Sequence, residues 1–442
     1  MSTLVRIGFA GVALMASLVV ASSAPAQPVC DVRTLGARGD GATDDTAAIN
    51  VALGTPGLCG TVVFPPGNYR VTSPLVVRGD RIIQGSGKGR TIVSSASATA
   101  DVFSMTGSGS TGRLTIRDLT VGIAPGTLKT AGVGILVSGG LTQDYQGAMI
   151  DNVEIFDMPT GVEISGGQFS VTNSHIWYSR VGIYVHNDQA PDAGMNNISN
   201  NRVYVGTRTG EGCATGNKAV FITGSNDTKI TSNWLAGGDY GIYVTPLSFP
   251  VSDLKVTANS IEGNCEWAIY ADAGSSDVLY TTVTGNEVTS WGNGFKFTGG
   301  VRPHGLTLTG NFVAFNTLGG PTAYTGIHIG PRYANVSTSS NVLHAPGPNS
   351  MGYDVQTNSG ALINGHIIDV ATMFAPTNVT LVQGGGYNHS GLPANVAVGS
   401  FGTCFNCKNV KDPGFVPGDC MPGGTGNLAF RAAAGGGSWI CN

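Results

Sequence analysis

Between about Ile150 and Gln356 one short pattern recurs with small edits, and it restricts the fold more than any other feature. The copies run Asn152–Ile164 (NVEIFDMPTGVEI), Asn173–Val185 (NSHIWYSRVGIYV), Asn259–Ala271 (NSIEGNCEWAIYA) and Asn286–Phe297 (NEVTSWGNGFKF). An Asn is followed by a short alternating run, a turn, a small residue and a second alternating run. The form returns with longer turns at Asn201–Ile222, Asn311–Ile329 and Asn341–Val355, and compactly at Asn233–Val244. Such spacing lies in the range of solenoids, propellers and arrays. Alternation with a period of two indicates strands, and no copy carries a helical stripe, which excludes the leucine-rich, ankyrin and tetratricopeptide solenoids. A propeller blade needs about 40 residues and four strands, whereas each copy holds two or three short ones. A parallel β-helix remains.

In that fold each copy is one coil, and successive coils pair as parallel strands about 4.8 Å apart. Equivalent residues stack in columns. A column of Asn side chains at a tight turn is expected to hydrogen-bond along the stack, satisfying amides that are otherwise costly to bury. The Ile/Val pairs, such as Ile183 with Val185 and Ile242 with Val244, point inward, and the residue between them points out.

Met1–Ala26 carries Arg6, an apolar run from Ile7 to Ala21 and Ala24-Pro25-Ala26. This is the pattern of a secretory signal with a small-residue cleavage site, and the run is short of the roughly 20 apolar residues of a membrane span. The mature chain is expected to be secreted, periplasmic or extracellular, with no membrane contact after cleavage. Charged residues make up 11% of the chain, against roughly 25% in ordinary domains. The net charge of −4 contains no basic run, which argues against a nucleic-acid partner. The 67 glycines suit a turn-rich β architecture. The expected organisation is signal peptide 1–26, N-terminal cap and first coils 27–100, β-helix 101–375 and a Cys-rich closure 376–442.

Eight cysteines in an exported chain favour disulfides. Expected pairs are Cys30 with Cys59 and Cys213 with Cys265, with Cys404, Cys407, Cys420 and Cys441 closed among themselves. The alternative for the last four is a zinc site. Thr43, Asp44 and Asp45 are suited to start a helix through about Leu53. That helix would cover the open apolar end of the first coils, as solenoid caps do.

The run Gly36-Ala37-Arg38-Gly39-Asp40-Gly41-Ala42-Thr43-Asp44-Asp45-Thr46, with Phe64-Pro65-Pro66-Gly67-Asn68-Tyr69, closely resembles the start of the pectate-lyase-like superfamily, in its rhamnogalacturonase and epimerase-related branch. The resemblance implies a right-handed parallel β-helix, an all-β pectin-lyase-like solenoid with a short N-terminal capping helix. It also implies that Asp40, Asp44 and Asp45 serve structure. The family's reaction motifs are missing. The coils have no adjacent Asp pair, no Gly-His-Gly, no Arg-Ile-Lys and no Asp-Pro-His, and Gly326-Ile327-His328-Ile329-Gly330 is a loose echo. No calcium ligand cluster stands out, so no cofactor is assigned and calcium is left open.

In pectin-lyase-like proteins the substrate groove lies over one strand column, which the Gly-Ile-x-Val run resembles. Its outward residues are Glu163, Tyr184, Phe221, Tyr243, Tyr270, Lys296, His328 and Asp354, followed two residues on by Ser165, His186, Thr223, Thr245, Asp272, Thr298, Gly330 and Gln356. Four successive aromatics suit the apolar faces of an extended extracellular polysaccharide, and they equally suit a ladder that steadies a sheet face. Tyr184, Phe221, Tyr243, Glu163 and His186 are candidate substrate contacts.

Two catalytic constellations compete. In the first, Tyr270 or His328 removes the C5 proton of a uronate and Lys296 neutralises its carboxylate, with Tyr243 and Asp272 adjacent, as β-elimination requires. In the second, Asp239 and Glu266 form a carboxylate pair for glycoside hydrolysis. Lyase, hydrolase and non-catalytic glycan-binding or surface-attachment protein are the three functional alternatives. The loops Asp188–Asn197 and Thr207–Lys218, with Glu211, bear on the choice between the two constellations.

Overall fold

The computed structural model describes residues 28–344, except 56, 107–112, 139–146, 188–193, 207, 209–214, 303 and 316–323; beyond 344 it describes only the backbone of strands. Three long parallel sheets run the length of the molecule, one of 14 strands and one of 12, with the second sheet between them in chain order. Each coil away from the two ends contributes one strand to each. The coil at 148–165, for example, passes through Ala148–Asp151, Glu154–Phe156 and Thr160–Ser165. The next coil pairs with all three in parallel register. Ile, Val, Leu and Phe side chains from every coil fill the interior as one continuous core.

At the N-terminus α1 (Thr46–Gly54) buries Ile49, Ala52 and Leu53 over the first coils. Capping falls to Asp44: its carboxylate accepts from the Thr46 backbone N–H at 3.1 Å and from Thr72 Oγ1 at 2.6 Å. Asp45 stands at the N-cap position but makes no side-chain cap bond. It is buried and instead accepts from the N–H groups of Arg38 and Gly39 at 2.7 and 3.0 Å. Asp40 accepts from the N–H groups of Ala42 and Thr43 at 2.9 and 2.7 Å. All three carboxylates are thus engaged in holding the turn. A Cβ on Gly39 would meet the Tyr69 ring at 2.9 Å, and one on Gly67 would lie 2.7 Å from the Gly39 carbonyl oxygen, which explains both glycines. Cys30 and Cys59 form the expected disulfide. Cys265 is disulfide-bonded, while Cys213 and the side chains of the four C-terminal cysteines lie outside the described residues, as does 1–27 with the signal pattern.

The Asn column is present and buried. The Asn201 side-chain amide donates to Asn233 Oδ1 at 3.0 Å, Asn233 to Asn259 at 2.9 Å, Asn259 to Asn286 at 2.9 Å, Asn286 to Asn311 at 2.9 Å and Asn311 to Asn341 at 2.8 Å. Each acceptor oxygen also takes the backbone N–H of the preceding Asn. Asn152 and Asn173 do not belong to this column. They stand one residue earlier, in the left-handed region at φ 52 and 53, and Val153 and Ser174 occupy the column position. Asn suits both places because its side chain tolerates left-handed backbone and bonds locally, so spacing alone does not separate them. Phe401–Cys404 still pairs in parallel with Gly386–Tyr387, and Asn427–Arg431 then adds antiparallel to it and Trp439–Cys441 antiparallel to that. Among the described residues no helix is long and apolar enough to cross a membrane.

Candidate functional site

The third sheet carries the Gly-Ile-x-Val column. Its strands include Val181–His186, Lys218–Ile222, Tyr240–Val244, Trp267–Asp272, Asn293–Thr298 and Thr325–Ile329. The backbone register aligns Glu163, Tyr184, Phe221, Tyr243, Tyr270, Lys296, His328 and Asp354 in one row. Glu163 through His328 are partly exposed; the side chain of Asp354 lies outside the described residues. The small residue that opens each strand sits at a corner. A Cβ at Gly182 would meet Val203 at 2.3 Å and one at Gly241 would meet Ile261 at 2.4 Å.

That corner also makes a second outward position. Ala219 and Val220 are both buried, so the alternation slips by one and Lys218 points out; Tyr240 and Trp267 follow in the same register. Strict alternation hides these three residues. The signal that finds them is a large polar or aromatic residue immediately before the small one in successive copies.

The rings divide the row into two parts. Tyr184 and Phe221 lie 4.8 Å apart with planes 15° from parallel, Phe221 and Tyr243 5.6 Å at 5°, and Tyr240 and Tyr243 4.8 Å at 19°. Coplanar rings at those separations would overlap, so this part is an offset stack. Of the two readings of the aromatic row, the ladder describes this part: these rings face each other, and the Tyr184 hydroxyl lies 3.2 Å from Thr223 Oγ1. At its end His186 stacks on Tyr184 at 4.6 Å and its Nε2 lies 3.3 Å from Glu163 Oε1. From Tyr270 onward the stack opens. Tyr270 is tilted 40° to Tyr243, and Trp267 42° to Tyr270. Lys296 Nζ lies 4.6 Å from the Tyr270 ring centroid and 5.5 Å from that of Trp267, a cation–π geometry. The His328 ring is 6.5 Å from Trp267.

The Tyr270 hydroxyl donates to Asp272 Oδ2 at 3.1 Å, and Gly274 N–H donates to Asp272 Oδ1 at 3.1 Å. Burial and the Asp272 carboxylate raise the Tyr270 pKa well above the ordinary phenol value, so at neutral pH its proton is on the oxygen. Tyr240 is pushed up to about 12, chiefly by burial and then by Glu266. On the side of the stack, Lys218 Nζ sits 5.0 Å from Phe221, 5.4 Å from Tyr243 and 5.9 Å from Tyr240 and donates to the Gly216 carbonyl at 2.6 Å. Burial lowers its pKa.

Asp239 and Glu266 are register neighbours, since the Glu266 N–H donates to the Asp239 carbonyl at 3.0 Å. Their environments differ. Asp239 is 8% exposed and its carboxylate is engaged by the Gly216 N–H, whereas Glu266 is exposed. Asp188 and Glu211 lie outside the described residues. Among the described residues no three His, Cys, Asp or Glu side chains are grouped to hold a metal ion.

The description "Rhamnogalacturonase A/epimerase, pectate lyase-like" matches residues 29–120, and "Right handed beta helix region" matches 102–312. The fold is similar to that of the mannuronan C-5 epimerase A-module of Azotobacter vinelandii, at 18% identity, over 82% of this chain and 99% of the other, with a TM-score of 0.61. A tailspike protein mutant of E. coli bacteriophage HK620, in complex with pentasaccharide, shares it at 12% identity over 84% and 68% of the two chains, with a TM-score of 0.50. A non-secreted LysM effector of Penicillium expansum is 47% identical over 10% of this chain, a match that spans 4% of that protein's own length.

Proposed function

Because this chain is a right-handed parallel β-helix with a pectate-lyase-like N-terminal region of the rhamnogalacturonase and epimerase type, we propose that it is an exported protein that cleaves a uronate-containing polysaccharide by β-elimination on its third sheet. The observation that carries this reading is the open end of the ring row. There a lysine ammonium, a protonated tyrosine bonded to a carboxylate and a histidine follow one another on adjacent coils. The Cys30–Cys59 disulfide suits an oxidising compartment. The fold is shared by a mannuronan C-5 epimerase module and by a tailspike protein in complex with pentasaccharide, which agrees with a glycan ligand without choosing the reaction.

In this mechanism Lys296 neutralises the uronate carboxylate, which makes the C5 proton removable. His328 takes that proton, the C4–C5 double bond forms, and the bond from C4 to the glycosidic oxygen breaks. Tyr270 gives its proton to the departing oxygen, held in orientation by Asp272. The raised pKa of Tyr270 suits it as the acid and not as the base. Trp267 and Tyr270, whose rings are tilted apart, offer the faces on which sugar C–H groups pack. Hydrolysis by Asp239 and Glu266 is less favoured, because the Asp239 carboxylate is buried and already accepts from Gly216.

Purified mature protein incubated with a panel of uronate-containing and neutral polysaccharides tests the reading. Ultraviolet absorbance from conjugated unsaturated ends on one uronate polymer is the expected result. New reducing ends without that absorbance would move the chemistry to Asp239 and Glu266, and retention without cleavage would make the groove a binding surface only.

A further inference from the structure

Lys218 has no place in the elimination just described, yet it is one of two lysines set against this row of rings. Its amine lies within 6 Å of three ring centroids, and among the described residues it donates to the Gly216 carbonyl. The Asp239 carboxylate holds the Gly216 N–H, so the segment that seats the lysine is itself anchored. Among the described residues neither Lys218 nor Lys296 forms an ion pair. Desolvating an ammonium on hydrocarbon is costly: burial lowers the Lys218 pKa, and the attraction of the Asp239 carboxylate offsets that only in part. Ring contacts recover part of it. An anionic ligand would recover more, in a chain where only 11% of residues are charged.

We infer that Lys218 is a second acid-recognising position, so that the groove takes a glycan bearing carboxylates at two points, one on Lys296 and one on Lys218. This inference rests on the groove proposed above. The Lys218 amine stands 5.0 and 5.4 Å from rings on the coils of Phe221 and Tyr243, and the Lys296 amine 4.6 and 5.5 Å from two rings on the coil of Tyr270. The two ring sets are one to two inter-strand steps apart along the axis, on the order of 5–10 Å. A polymer with isolated acidic sugars fills one position; a polyuronate fills both.

The test compares an intact polyuronate with the same polymer after partial carboxyl reduction, using wild type, Lys218→Met and Lys218→Arg. Wild type is expected to lose about tenfold in kcat/KM on the partly reduced polymer, the scale of one charge-assisted contact. Lys218→Met is expected to lose about the same on the intact polymer, through KM, and to show little further loss on the reduced one. Lys218→Arg restores discrimination. A Lys218→Met protein with wild-type KM on the intact polymer, or with an equal additional loss on both polymers, overturns the inference while leaving the groove in place. Wild-type protein that neither retains nor cleaves any polyuronate overturns the groove, and this inference with it.

Discussion

Tyr184, Phe221 and Tyr243 occupy the same slot of the same sheet as Tyr270, Lys296 and His328, yet the two halves of the row are built differently. In the first half the rings are within 15° and 5° of parallel at 4.8 and 5.6 Å, and each ring satisfies its neighbour. In the second half the planes open to 40°, and hydrocarbon gives way to an ammonium and an imidazole on successive coils. A repeat supplies one outward position per coil, and what stands there decides the use. A continuous stack steadies the sheet face and seats Lys218 beside it, whereas the interrupted stack tilts its rings apart around Lys296. Aromatic content alone does not distinguish the halves; the angle between neighbouring rings does.

The largest expected difference between the halves is catalytic. Lys296→Met should lower turnover of a uronate polymer by about 10²–10³-fold, the scale of removing one group that stabilises developing charge. His328→Ala should cost about 10²–10⁴-fold as the loss of the general base. Phe221→Ala, in the stacked half, should leave turnover within a few-fold and instead lower the urea midpoint. Comparable turnover losses from Phe221→Ala and Lys296→Met would erase the distinction.

A smaller effect is expected from the column that supports both halves alike. Asn286→Leu removes the donor to Asn311 and the acceptor for Asn259, stranding buried amide groups, and should cost about 1–3 kcal/mol for each group left unsatisfied. Its checks are denaturant unfolding together with equal kcat for the fraction that remains folded. A selective loss of activity at full stability would tie the column to the site and not to the frame.

The smallest effect lies at the cap and concerns pH. Hydrogen bonds from the Thr43 and Ala42 N–H groups and the Thr43 hydroxyl hold the Asp40 pKa down to about 2. Asp44 is also lowered: desolvation raises it, but hydrogen bonds from Thr46 and Thr72 outweigh that. A carboxylate depressed in the folded state stabilises fully above its unfolded pKa of about 3.9 and loses that contribution as pH falls toward the folded value. Stability should therefore decline between about pH 4 and pH 2, and Asp44→Asn should flatten the decline. A pH-independent urea midpoint in both proteins across that window would contradict this account of the cap.

Much of the frame was legible because a solenoid converts sequence repeats into spatial columns. Glu163 through Asp354 could be lined up from the Gly-Ile-x-Val pattern, and the register places all eight side by side. The residues that escaped did so for local reasons. Lys218, Tyr240 and Trp267 lie beyond a corner where two successive residues turn inward, which breaks the alternation used to sort faces. Asn152 and Asn173 sit one residue off the buried column because two adjacent turn positions both favour Asn. The division of roles between Asp44 and Asp45 was not readable because either can begin a helix, and only the fold of the preceding Gly-rich turn brings the Arg38 and Gly39 N–H groups to Asp45. Ring orientation was beyond the sequence altogether, since alternation says that a side chain points out and nothing about the tilt of its plane.

The most direct test of the division within the row is retention on an immobilised polyuronate, measured side by side for Trp267→Ala and Phe221→Ala. The open half should carry the sugar-ring contacts, with the stacked half contributing only the Lys218 amine. Trp267→Ala is then expected to weaken retention by about tenfold, roughly 1.4 kcal/mol of ring contact, while Phe221→Ala weakens it far less. Equal losses, or full retention by Trp267→Ala with loss by Phe221→Ala, would contradict a site at the open end of the stack.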